Sequence, residues 1–166
     1  TREKLIANIE AGLGEVRPSN RVQVLFDSFK KAVEHESNSQ EQSLAVVARA
    51  IQEFVGPSAE APRVDELAQA FIDLVEAASD RDENNVDEDG SLDDTDAVDV
   101  WMRIVARLRD EYSRAEGGFA RLMYGDTRPE TRRLLQLAFN RRLGHPRVLV
   151  AQSLVGREGL NLHKAC

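Results

Sequence analysis

Two short apolar runs, residues 119–123 (Phe-Ala-Arg-Leu-Met) and 148–151 (Val-Leu-Val-Ala), flank a segment whose apolar side chains fall at helical spacing. Strand, helix and strand within about 30 residues predict a βαβ unit with a right-handed crossover and parallel strands. Thr127, with Glu130 three residues on, predicts a capping box opening a helix to about residue 142, with Leu135, Ala138 and Phe139 as its apolar stripe. The unbroken run 148–151 predicts a parallel strand covered on both faces.

The beginning of the chain reads as the same α/β layer. Leu5, Ile6 and Ile9 predict a short helix over 1–11, ended by Gly12 and Gly14. Pro18-Ser19-Asn20 predicts a turn, residues 21–26 a buried strand, and Phe29, Ala32 and Val33 a helix after it. Between these parts lies a stretch of another character. Leu44, Val47, Ala48, Ile51 and Phe54 make one helical stripe, stopped by Gly56-Pro57. Leu67, Ala70, Phe71, Leu74 and Ala78 make a second. Trp101, Ile104, Val105, Leu108 and Tyr112 make a third, closed by Gly117-Gly118. Trp101 reads as core at that spacing. The expected architecture is an α/β domain of residues 1–36 and 117–166, interrupted by a largely α-helical insertion at 37–116.

Charge divides the chain the same way. The net of −7 is the sum of six basic and six acidic residues in 1–36, 7 and 20 in 37–116, and 9 and 3 in 117–166. Residues 79–99 hold ten acidic side chains and one basic, which predicts a solvated acidic loop. The basic segment 117–166 is where a phosphate backbone could be met. An apolar content of 42% with 31% charge is that of an ordinary globular chain. No run approaches the roughly 18 apolar residues of a membrane span, so no membrane partner is expected. One cysteine, Cys166, builds no disulfide framework, which fits a reducing cytoplasm. His35, His145 and His163 show no metal-ligand spacing.

The chemistry is concentrated after the run 148–151. A strand there delivers Ser153 and a loop with two glycines, Gly156 and Gly159, and then Asn161. Ligands of open α/β sheets bind at that edge. Glycines let backbone N–H groups approach phosphate oxygens, and a hydroxyl adds a further hydrogen bond. The plainer reading is a strand-to-helix turn whose glycines only satisfy backbone geometry.

The pattern Leu149-Val150-Ala151-Gln152-Ser153, five residues, then Gly159-Leu160-Asn161-Leu162 resembles motif V of superfamily-two helicases. Glu158-Gly159-Leu160-Asn161 is most similar to the version in Swi/Snf-type and RapA-like translocases. Tyr124-Gly125-Asp126, Arg132 and Phe139 resemble the block that precedes motif V in that family, and residues 22–26 fit its motif IV strand. The resemblance implies a partial second RecA-like lobe of an ATP-dependent helicase or translocase, acting on DNA in preference to RNA. It implies that Ser153, Gly125, Arg132 and Gly156 contact the nucleic-acid backbone, and that Gly159 and Asn161 lie near the nucleotide. ATP and magnesium would belong to the parent enzyme. A phosphate loop and an Asp-Glu magnesium motif are missing from the 166 residues, as is the arginine-finger segment. The chain is therefore expected to be a fragment, inactive alone, whose first motor lobe is a missing partner.

A rival pattern is Asn85-x-Asp87-x-Asp89-Gly90-Ser91-Leu92-Asp93-x-x-Asp96, which approximates a calcium loop of the EF-hand kind. Arg81 and Asn84 occupy slots where its entering helix needs apolar residues. The alternative it supports is a helical protein-interaction or calcium-binding module without motor function.

Overall fold

The computed structural model describes residues 2–35, 43–55, 61–79, 94–112, 120–141 and 145–152. Six helices and two short strands follow in the order α1 (Arg2–Val16), α2 (Asn20–His35), α3 (Ser43–Val55), α4 (Val64–Ala78), α5 (Asp94–Tyr112), β1 (Ala120–Met123), α6 (Pro129–Asn140) and β2 (Val148–Ala151).

The expected α/β architecture does not hold: the described chain is mostly helical, and its only sheet has two strands. The largest departure is at residues 21–26, expected as a buried strand and found inside α2. Val22, Leu25, Phe26, Phe29 and Val33 recur every three to four residues and are all buried, so one helical face collects them. A strand would have divided them between two faces. Ser19 accepts a hydrogen bond from Val22 N–H at 3.4 Å and so serves as the N-cap, where a turn was expected.

Helix α1 also outruns its predicted end, passing through Gly12 and Gly14 to Val16. Gly12 marks a close approach. A Cβ there would stand 2.0 Å from Val64 O and 2.8 Å from the Ala68 Cβ, so only glycine lets α1 lie against the start of α4. The helix ends instead at Arg17, whose N–H donates to Leu13 O and whose φ is 51°.

The three middle helices form where the stripes predict them. They do not stand apart as an insertion, however. Ile9 and Leu13 of α1 and the α2 face share one buried cluster with α3, α4 and α5, and Leu134 and Ala138 of α6 join it. At its centre Phe26, Phe29, Phe71 and Trp101 meet with ring centroids 5.1 to 6.4 Å apart. Of the expected acidic loop 79–99, Ser79 follows α4 directly and Asp94 to Asp99 are the first turns of α5; residues 80–93 lie outside the described part.

Arginines tie the elements to the C-terminal end of α4. Arg107 of α5 donates to Ala78 O at 2.5 Å, and Arg133 of α6 donates to Ser79 O at 3.1 Å. These carbonyls belong to the last residue and the C-cap of α4, where cations are favoured. Arg141 pairs with Asp73 and lies over the Phe54 ring at 5.3 Å.

The strand–helix–strand reading is realised. β1 and β2 pair in parallel, Ala120 with Val148 through Met123 with Ala151, and α6 connects them. The expected third strand is absent, and β2 is not covered on both faces. Leu122 (59% exposed), Val148 (43%) and Val150 (53%) share an open face, while Met123 and Leu149 pack beneath them with Leu135. The predicted capping box is replaced by another device. Arg128 is the N-cap, Pro129 opens the helix, and Thr127 closes the preceding turn.

Candidate nucleic-acid interface

Parallel pairing brings the carboxyl ends of β1 and β2 to one edge of the small sheet. The pairing persists one step beyond the strands, where Gln152 N–H donates to Met123 O at 2.9 Å. The chain leaving β1 turns at once. Thr127 N–H donates to Tyr124 O at 3.0 Å, and Tyr124 N–H donates back to Thr127 Oγ1 at 3.0 Å. This reciprocal pair fixes a tight turn that exposes Tyr124, Gly125 and Asp126.

Gly125 and Arg132, seven positions apart, meet at this turn. Arg132 Nη2 donates to Gly125 O at 2.6 Å and its Nε donates to Thr127 O at 2.9 Å. The guanidinium is thus a clamp on the turn's carbonyls, and its helix position above the turn follows from the connection being so short. The helicase resemblance put the two residues in one site; it did not show that the arginine would hold the glycine's carbonyl. Ser153, Gly156, Gly159 and Asn161 lie outside the described residues, and Gln152, exposed at the edge, is the last described residue before them. The described part of the edge therefore offers a nucleotide no residue that the helicase resemblance would put beside it.

Beside the sheet, Glu53 of α3 accepts a hydrogen bond from His145 N–H through its backbone oxygen at 2.8 Å. Burial raises the Glu53 carboxyl above its ordinary range, and the nearby charges of Arg121 and His145 oppose the shift in part. Glu76 is raised as well, by burial first and then by Asp73. Neither carboxyl stands at the carboxyl edge, so these shifts mark packing and carry no catalytic reading.

The calcium pattern falls on residues 85–93, outside the described part, except for Asp96, which is exposed on α5. No group of three or more His, Cys, Asp or Glu side chains is placed to hold a metal among the described residues, and no described helix is long and apolar enough to cross a membrane. What defines the molecule is thus a helical bundle carrying a parallel strand–helix–strand unit at one end. Comparison with protein-family models, with curated proteins and with solved structures finds no match.

Proposed function

We propose that residues 120–152 and the segment that follows contribute nucleic-acid backbone contacts to an ATP-driven helicase or duplex translocase of the cytoplasm, acting on DNA in preference to RNA. The observation that supports this reading is the ordered turn at the carboxyl end of β1, where Arg132 holds the Gly125 carbonyl. Gly125 and Arg132 sit at the same sheet edge from which Gln152 leads into Ser153. An ordered turn with an exposed glycine suits close approach by a phosphate, and the basic balance of residues 117–166 favours it electrostatically. ATP hydrolysis is not a property of these 166 residues, which carry no phosphate-loop lysine motif.

The reading is tested by fluorescence anisotropy of labelled single-stranded and duplex DNA with the whole chain at low salt. Binding should weaken log-linearly with salt, and Ser153→Ala should weaken it several-fold. An anisotropy that stays flat for both DNA forms sinks the motor reading. A flat response accompanied by calcium-dependent ordering would favour the calcium-binding module instead.

A further inference from the structure

Side chains alternate between the two faces of a strand, and paired residues of β1 and β2 share a face. Ala120 with Val148 and Leu122 with Val150 form the open side, and all four are exposed. The alternation continues one step to Tyr124, which is 47% exposed, and to exposed Gln152 opposite it. Gln152 N–H, bonded to Met123 O, keeps that register. The open face is thus two apolar rows leading to an aromatic ring and an amide at the carboxyl edge.

Tyr124 is held in place before any ligand arrives. Its N–H donates to Thr127 Oγ1 and its carbonyl accepts from Thr127 N–H, each at 3.0 Å, so little ordering is left for binding to supply. A Cβ at Gly125 would meet nothing within 4 Å, which leaves open space beside the ring. Asp126 and Arg128, both exposed, place opposite charges at the turn, so Tyr124 offers a π-face in a locally balanced field. The face is only two strands wide, with strands about 4.8 Å apart. That is far less than the roughly 800 Å² that each partner gives to a standard protein interface. A flat heteroaromatic ring fits this size: it stacks on an aromatic side chain, covers apolar neighbours and bonds an amide through its edge.

We infer that Tyr124 is a stacking platform for an unpaired nucleobase, with Leu122 and Val150 as its apolar floor and Gln152 meeting the base edge. The inference deepens the nucleic-acid reading above and rests on it, naming single strands as the substrate class. A base inside a duplex is already stacked on both sides and has no face to give.

The test uses the whole chain and two labelled probes of equal length and charge, an oligothymidine and the same strand with abasic sites in place of its bases. Anisotropy should show the oligothymidine binding about tenfold tighter. That ratio should persist as salt is raised, while both affinities fall. Tyr124→Ala should bring the ratio close to one, and Tyr124→Phe should keep it. The melting temperature of Tyr124→Ala should match the parent's, because the ring is exposed. Ser153→Ala, at a backbone contact, should weaken both strands alike. Equal binding of the two strands by the parent chain, or a ratio unchanged in Tyr124→Ala, overturns the stacking inference and leaves the motor reading standing. Binding of neither strand overturns both. Self-association of the chain that Val150→Asp abolishes, read by sedimentation velocity, would make the face an interface between copies and would also overturn the inference.

Discussion

Gly12 and Gly14 stand two positions apart in one helix and have opposite roles. A methyl group at Gly12 would collide with the Val64 carbonyl, which is backbone and cannot swing aside, while Gly14 has open space around it. Gly12→Ala should therefore destabilise the chain by about 1–3 kcal/mol despite alanine's better helix propensity, and Gly14→Ala should stabilise it by about 1 kcal/mol. Urea denaturation of the two variants checks both signs. Trp101, 1% exposed, is the largest side chain of the aromatic centre, and Trp101→Ala should cost about 3–5 kcal/mol. Trp101→Phe should cost less than its lost volume suggests, because the indole N–H finds no acceptor among the described residues. Glu53 supplies a pH signature. Below the ordinary glutamate pKa its carboxyl is neutral whether folded or unfolded, so it costs nothing. As pH rises through the ordinary value and then through the raised folded value, a half-buried charge must form, and stability falls across that window. Glu53→Gln should thus raise the melting temperature at about pH 7 and leave it nearly unchanged at about pH 3. A gain of equal size at both pH values would show that burial of the charge is not the cause.

Among the elements, legibility followed the number of turns over which a pattern repeats. Helices α3, α4 and α5 declared themselves because each buries one stripe through several turns. The stretch 21–26 did not, since Val22, Val24, Leu25 and Phe26 alone read equally as a strand, and only Phe29 and Val33 settle the period. The glycines of α1 mimicked a helix stop because glycine serves both as a C-terminal signal and as a point of close contact, and sequence does not say which. At the sheet edge, Gly125 and Arg132 were put together by the helicase resemblance, but the clamp on the turn needed coordinates. The arginines that hold α4, Arg107 and Arg133, gave no sequence signal beyond being basic. Helix α6 is two-faced: Leu134 enters the main cluster, whereas Leu135 packs on Met123. Leu134→Ala should lower global stability by about 2–5 kcal/mol. Leu135→Ala should instead speed amide exchange in β1 and β2 selectively, because four-residue strands with one open face have little else to hold them. Equal acceleration throughout the chain would contradict this division.

For the whole molecule, the decisive measurement is far-UV circular dichroism, which should be dominated by helix. A spectrum of mixed α/β character would restore the architecture expected from the two apolar runs. The shared core also bears on domain logic. The main buried cluster draws on α1 and α2 as well as α3, α4 and α5, so removing residues 37–116 would strip the first two helices of their apolar partners. The two α6-side arginines that reach α4, Arg133 and Arg141, have a mechanical consequence. Any load applied at the carboxyl edge of β1 and β2 passes along α6, and Arg133 and Arg141 deliver it to the last turns of α4. The bundle then behaves as the fixed post to which a loaded sheet is moored, and its stiffness sets how much of a pull is lost before it reaches the far side.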